Sequence, residues 1–492
     1  MNLPLVFGLT FLYFIFILSC VLYARYKATK TLLPSINEFF LASSNLGPLV
    51  LTCTYVASVF STFSILGMPG LVYAHGVSGL YFLAIADVLG LTLLVIIGKR
   101  LHRSLQNIRI FSPLEAISHA YKSEKLGLLM ALVFTLALLP YIALQLVGIG
   151  AFIDAYSGGR IDYVSGVGSM MVIVLLYLFL GGMRAVAYTD FIQIIAMALG
   201  LMLSALFLCN HYDLHPAAMF ADIGATSPMH LHAPGAKGHF QWLMTLTTGL
   251  VTVGVFIQPH LLTRALMAKK EQHINTMVVG TIIGRLITVI FALFFGIFAF
   301  NAYGGDLKPN LMMGEVFSDL SRLGMIGLIL SVIMLMGALG AAMSTADSLL
   351  ISIGQISTRD MIRPFFDLSP TRQVMLSKAI MFGVLVFSFI IGLNPPKYMT
   401  DLAVYSGAIS ALMIPTFLSF TWGKRSLLAA YCSISIGLLS LLAATVLKHY
   451  TGYQIASIHI GFIPVVLSFA VYYGLCLFIK RTPAAPLSHA QE

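Results

Sequence analysis

The stretch GALGAAMSTADS, Gly337 to Ser348, lies inside an apolar segment that runs from residue 325 to 353. Gly337, Gly340, Ala341 and Ala342 are followed by two hydroxyls, Ser344 and Thr345, and then by a carboxylate, Asp347. A helix that only fills a bilayer needs none of these polar groups, because a carboxylate at the bilayer centre is costly. The small residues let a second helix approach closely. Hydroxyls beside such a contact offer oxygens to a hard monovalent cation, which takes roughly five of them by analogy with other hard cations. A lone Ser–Thr pair commonly bonds back to its own preceding turn, so an ion site requires a second source of oxygen.

The segment TCTYVASVFSTFSILGMPG, residues 52–70, is such a source. Thr52, Thr54, Ser58, Ser61, Thr62 and Ser64 interrupt a run that could have been purely aliphatic, and Gly67-Met68-Pro69-Gly70 predicts that the helix breaks or ends there. Discontinuous membrane helices expose backbone carbonyls to ions near the midplane.

Composition agrees with a membrane setting. Of the 492 residues, 59% are hydrophobic and 9% charged, with mean hydropathy +0.94, against about 25% charged in soluble domains. The net charge of +10 does not point to nucleic acid, because the bases sit in short loops between apolar segments. Cys20, Cys53, Cys209, Cys432 and Cys476 are scattered and form no CxxC pair, which argues against a disulfide framework or a zinc site. The N-terminal run lacks a positively charged start and reads as a spanning helix, not a cleaved signal.

With about 20 apolar residues per crossing, thirteen spans are expected, over 3–24, 46–72, 77–98, 126–153, 163–182, 188–209, 241–262, 275–302, 323–353, 377–395, 400–422, 426–447 and 460–479. Only helices suit runs this long in lipid, so the fold class is an all-α polytopic membrane protein. The longest polar stretches are 99–125, 211–239 and 359–378. Placing the N-terminus outside assigns 21 lysines and arginines to cytoplasmic segments, including Arg25, Lys27, Lys30, Arg109, Arg184, Arg264, Arg359, Lys424, Lys480 and Arg481. Six fall outside and Arg285 lies within a span. That bias orients the chain with its C-terminus in the cytoplasm.

Asp87, Asp190, Arg285 and Asp347 stand out among the ionisable groups in or at spans. They mark either an ion or substrate path or a structural pair such as Asp87 with Arg285. The outer stretch 210–240 holds His211, His215, His230, His232 and His239; a solvated loop is the plainer reading of this stretch, a metal site the other.

Four motifs together resemble the sodium:solute symporter family. AAMSTADSLL (341–350) is similar to its signature helix, and GGMRAVAYTDFIQ (181–193) to its Gly-Gly-x-x-Ala-Val block. ASVFSTFSILGMPGLVYAHG (57–76) resembles its first core helix, and IQPHLLTRALMAKK (257–270) a Gln-Pro-His…Arg block of its proline carriers. The resemblance implies a LeuT-like five-plus-five inverted repeat, here 46–209 and 241–422, with 1–24 and 426–492 peripheral. It implies sodium bound by the carbonyls of Ala57, Phe60 and Ala341 and the hydroxyls of Ser344 and Thr345. A second ion site, present in some members, falls on Asp190, Ser344, Asp347 and Ser348. Asp347 stands where those members have a hydroxyl, a departure from the family pattern that bears on whether a second sodium, or a proton instead, is held there. The solute would meet Ser61, Ser64, Tyr81, Asp87, Tyr141, Gln145, Thr248, Phe256 and Tyr405. With no arginine expected among the pocket spans, Asp87 would favour an amine or amino acid.

The functional expectation is therefore sodium-coupled symport of a small organic solute, such as an amino acid or pantothenate, across the plasma membrane by a monomeric unit. Sodium is the coupling ion, and no other cofactor is implied. Proton coupling is the alternative. A transporter-like sensor would need an output domain, and the chain ends shortly after the last expected span, at KRTPAAPLSHAQE. No catalytic cluster or Gly-Lys-Ser nucleotide loop suggests an enzyme or an ATP-driven pump.

Overall fold

A computed structural model describes residues 3–28, 35–105, 110–180, 182–423, 425–452, 455 and 457–478. Lys30, Arg109, Gly181, Lys424, Lys480, Arg481 and the tail beyond lie outside these residues, as do the side chains of Arg25 and Lys27.

The first half comprises α1 (Leu3–Ala28), α2 (Ile36–Leu41), α3 (Pro48–Val59), α4 (Met68–His75), α5 (Tyr81–Leu105), α6 (Pro113–Tyr121), α7 (Glu124–Ser157), α8 (Tyr163–Leu180), α9 (Met183–His211) and α10 (Pro216–Thr226). The second comprises α11 (Trp242–Thr252), α12 (Pro259–Met267), α13 (Gln272–Tyr303), α14 (Met312–Leu320), α15 (Gly324–Ile356), α16 (Pro370–Gly392), α17 (Thr400–Ala411), α18 (Ile414–Trp422), α19 (Leu427–Thr451) and α20 (Phe462–Phe478).

Among the described residues, seven helices are long and apolar enough to cross a membrane unbroken: α5, α7, α9, α13, α15, α16 and α19. Three bent pairs pass the same test together, α3 with α4 at 55°, and α11 with α12 and α17 with α18 at 46° each. Counting each pair as one span gives up to ten crossings. Shorter apolar segments among the described residues are Gly8–Cys20 in α1, Tyr163–Leu176 in α8 and Phe462–Phe478. The polar stretches also carry short helices. One is α6, opened by a capping box in which Ser112 and Glu115 satisfy each other's backbone N–H groups.

The bundle is centred on α15. Its span, continued to Ile362, has 72% of its apolar window buried, against 28% for α16. The small residues in the opening stretch explain this. A Cβ at Gly337 would come within 3.0 Å of the Met197 Cα, and one at Gly340 within 3.0 Å of the Gln193 side chain. The two helices therefore touch nearly backbone to backbone, which only residues without side chains permit.

The break in the second span differs from expectation. It falls at Phe60–Thr62, before Gly67–Gly70; the helix resumes through a wide turn at Phe63–Gly67, with the Met68 N–H bonded to the Phe63 carbonyl, and continues into α4. The break itself is braced from α7. Gln145 Oε1 accepts from the Thr62 backbone N–H at 3.2 Å and from its hydroxyl at 3.0 Å, and Ser61 Oγ accepts from the Phe63 N–H at 3.2 Å. These side chains replace the ladder bonds lost in a setting without water.

Arg359, expected in a cytoplasmic loop, is only 5% exposed, because α15 continues through a wide turn to Ile362. It pairs with Glu115 at 2.6 Å and its guanidinium stands 4.4 Å from the Phe111 ring centre.

Gly337→Leu should cost about 1–3 kcal/mol through overpacking and lower the melting temperature of the purified protein. Gly383→Leu, where a Cβ meets nothing within 4 Å, should leave it unchanged. Equal melting temperatures for both variants would contradict the close α9–α15 contact.

Candidate functional site

The break frees the Ala57 carbonyl, because the residue whose N–H would cap it, Ser61, lies beyond the end of α3. Facing it across the interface is the hydroxyl pair of α15. Ser344 Oγ donates to the Ala57 carbonyl at 3.1 Å and lies equally far from that of Ala341; Thr345 Oγ1 lies 3.4 Å from the Ala57 carbonyl. Four of the five oxygens expected for sodium are thus gathered at one contact. The fifth residue, Phe60, is the first residue of the break, at φ −90° and ψ 75°. All of them are buried.

One turn further along α15 lies a second polar cluster. Ser348 donates to the Ser344 carbonyl at 2.7 Å and stands 3.2 Å from Ser58 Oγ. Thr54 Oγ1 donates to Asp190 Oδ2 at 2.5 Å. Asp190 and Asp347 are 0% and 2% exposed, and among the described residues the Oδ1 atom of each lacks a hydrogen-bond partner.

Arg264 joins this cluster, which corrects its assignment to a cytoplasmic loop. It is the largest fully buried side chain. Its Nη2 donates to Ser58 Oγ at 2.8 Å and to Ser348 Oγ, and its Nη1 donates to the His260 carbonyl at 2.6 Å. The helix resumes at Pro259 and runs on to Met267, and every residue from 259 to 267 is buried. The signal in the sequence was that only one polar residue, Thr263, separates His260 from Arg264 in IQPHLLTR.

The expected solute residues separate into groups. Asp87 forms an ion pair with Arg285 at 2.8 Å, which is the structural alternative weighed above. Arg285 also donates to Ser64 Oγ at 3.2 Å and stands 5.6 Å from the Phe60 ring centre. Asp87 is therefore compensated, and the argument for an amine substrate at this residue falls. Gln145 is committed to the helix break, with its amide nitrogen donating to the Tyr141 carbonyl at 3.0 Å. Tyr141 lies edge-on to His260 at 6.0 Å and contacts Ser61. Phe256 packs against Gly90 of α5, where a Cβ would strike its ring. Tyr81 does not join any of these, because it begins α5 with 42% of its surface exposed. Thr248 and Tyr405 line a separate cavity of ≈ 290 Å³.

The histidine-bearing stretch is not uniformly solvated. His230 is buried, with its ring centre 3.8 Å from that of Phe300 and Nδ1 2.8 Å from Ser227 Oγ. Among the described residues, no group of three or more His, Cys, Asp or Glu is placed to hold a metal ion.

Full and broken helices around an oxygen-lined break define an ion-coupled membrane carrier. The sodium:solute symporter family model matches residues 39–437, and the chain belongs to that family. It is 27% identical over 460 residues to the osmoregulated proline transporter OpuE of Bacillus subtilis, covering 89% of this chain and 87% of the relative. It is 25% identical to the sodium/pantothenate symporter of Haemophilus influenzae, covering 90% and 91%. The sodium/proline symporter of Salmonella typhimurium is also 25% identical, covering 92% and 90%. These relatives are transporters, not enzymes.

In overall shape the chain matches a substrate-bound, outward-open Na⁺-coupled sialic acid symporter with TM-score 0.77 at 15% identity, over 98% of this chain and 99% of the other. It matches the nucleobase-cation-symport-1 transporter Mhp1 with TM-score 0.58 at 14% identity, over 93% and 98%. At such identities the likeness is one of fold, that of the LeuT-like carriers.

Asp87→Ala should lower the melting temperature more than Asp87→Ala combined with Arg285→Leu, because the single change strands a mostly buried guanidinium. A double variant no more stable than the single one would show that the pair is not what holds Arg285 inside.

Proposed function

We propose that the protein carries a small organic solute into the cytoplasm together with sodium, by alternating access. The observation that carries this reading is the Ala57 carbonyl, freed by the helix break and facing Ser344 and Thr345. A sodium ion held by these oxygens, with those of Phe60 and Ala341, bridges α3 to α15. Binding from outside favours the outward-open state and orders the segment that carries Ser61 and Ser64. The membrane potential supplies about 2.3 kcal/mol per charge per 100 mV, enough for one sodium to concentrate a neutral solute some tens-fold at about 100 mV.

The orientation follows the positive-inside count, with the N-terminus outside. Two of the bent pairs, α3–α4 and α11–α12, open the stretches 46–209 and 241–422, which supports the reading of those stretches as inverted repeats. One chain supplies every oxygen named, consistent with a monomeric functional unit.

The second cluster favours a second coupling cation. Ionised, Asp190 and Asp347 would outnumber Arg264, the one guanidinium of the cluster, in an interior without solvent. A sodium or a proton at Asp347, held also by Ser344 and Ser348, balances the odd charge. A buried uncompensated carboxylate is otherwise far too costly.

Two outcomes are expected in proteoliposomes. Ser344→Ala and Thr345→Ala should each raise the sodium concentration for half-maximal uptake by about tenfold or more, the effect of losing one ligand to a charged group; unchanged sodium dependence in both would refute the site. Asp347→Asn should move one positive charge fewer per solute, read from the potential that halts uptake. The wild-type charge per cycle in that variant would exclude a coupled cation at Asp347.

A further inference from the structure

A cavity of ≈ 740 Å³ opens where the α6–α7 turn meets the end of α15, and it holds none of the residues of the sodium scheme. Lys122 and Lys125 line it from the turn. Arg363 lines it from just past the wide turn that extends α15 to Ile362. Membrane crossings begin or end at each of these points: α7 begins at Glu124, the span of α15 ends at Ile362 and α16 begins at Pro370. The three bases therefore stand at the level of lipid headgroups, on the cytoplasmic side in the proposed orientation.

None of the ion pairs among the described residues engages Lys122, Lys125 or Arg363, and all three are exposed. The carboxylates that line the cavity are occupied in other ways. Glu115 pairs with Arg359 at 2.6 Å. Glu124 lies in the first turn of α7, where the helix dipole already favours a negative charge. Asp360 is buried and accepts from Ser112 Oγ at 2.6 Å. Its Oδ1 lacks a partner among the described residues, which suits a hydroxyl donor. Three unengaged cations gain charge-assisted hydrogen bonds from a phosphate, and they repel a headgroup that ends in an ammonium.

A second feature separates a lipid from a soluble anion. Phe365 lines the cavity beside Arg363, and Phe365 and Phe366 are 51% and 64% exposed. Two exposed phenylalanines in succession are unfavourable in water and favourable among acyl chains.

We propose that this cavity holds the headgroup of an anionic phospholipid of the cytoplasmic leaflet, with its phosphate among Lys122, Lys125 and Arg363 and its acyl chains against Phe365 and Phe366. Phosphatidylglycerol meets each feature, because it carries a net negative charge and its glycerol offers hydroxyls to Asp360. Bound there, it ties the α6–α7 turn to the end of the helix that carries Ser344 and Thr345. The proposal does not depend on which ion or solute is carried.

The test is thermal unfolding of the delipidated, purified full-length protein in a neutral detergent. Dioleoylphosphatidylglycerol and dioleoylphosphatidylcholine are titrated separately. Sodium phosphate and sodium glycerol phosphate are the soluble probes, at matched sodium concentration. Phosphatidylglycerol should raise the melting temperature saturably and at lower concentration than phosphatidylcholine, and neither soluble phosphate should reproduce the rise. Arg363→Gln should increase the phosphatidylglycerol concentration for half the effect by about fivefold, and Lys122→Gln with Lys125→Gln by roughly thirtyfold, the loss of one and of two surface bases. Phe365→Ser with Phe366→Ser should weaken the response as well. Lys269→Gln with Lys270→Gln removes the same charge from exposed positions between α12 and α13 and should respond like the wild type. Each response is read against the same variant in phosphatidylcholine, so a loss of intrinsic stability does not mimic a lost site. Phosphatidylglycerol that acts no better than phosphatidylcholine overturns the proposal. So do Lys122, Lys125 and Arg363 variants that respond like the wild type, and so does a Lys269–Lys270 variant that loses as much as they do. A soluble phosphate that gives the full rise, or an unimpaired Phe365–Phe366 variant, overturns the assignment to a lipid.

Discussion

The interruption of one helix inside the bundle organises the rest. A backbone carbonyl without its ladder partner is not tolerated against lipid, so the break at Phe60–Thr62 exists only because other elements supply partners. Gln145 of α7 takes over the Thr62 N–H, Ser61 takes that of Phe63, and Ser344 donates to the Ala57 carbonyl. Each partner must arrive at hydrogen-bonding distance, which fixes α7 and α15 relative to α3. The near contact of α15 with α9 through Gly337 and Gly340 sets the hydroxyl pair at the right depth. A hydroxyl that caps a carbonyl in this way can also ligate an ion that the carbonyl ligates, so the same geometry serves stability and binding.

Charge is handled in two ways. Arg285 and Asp87 neutralise each other beside the break, and Arg285 also holds Ser64; this is a local, closed arrangement. Arg264 is shared between hydroxyls of α3 and α15, and the Oδ1 atoms of Asp190 and Asp347 lack hydrogen-bond partners among the described residues. On the proposed reading a coupled cation completes this second arrangement.

Much of this was legible in the chain. Hydropathy locates the apolar segments because the bilayer demands a long unbroken run for each crossing. The Ser344–Thr345 pair stood out because a second hydroxyl-rich segment, residues 52–64, offered it oxygens beyond its own preceding turn. The position of the break was not legible. Pro69 and its glycines signalled it, yet the wide turn at Phe63–Gly67 carries the helix past them, and the real interruption depends on Gln145, some 80 residues away in sequence. Arg264 was hidden for a related reason, since counting bases assigns a residue near a span end to a loop whereas a bent helix carries it inward. Tyr81 read as a pocket aromatic, and it stands at the start of α5 with 42% of its surface exposed, which its place in the sequence does not reveal.

The central claim is that one alkali ion sits between the broken helix and the hydroxyl pair of α15. The most direct measurement is an experimental density map of the protein in sodium, compared with one in choline. The account predicts added density within coordinating distance of the Ala57 carbonyl, Ser344 Oγ and Thr345 Oγ1. Density confined to other places, or none at saturating sodium, would contradict it.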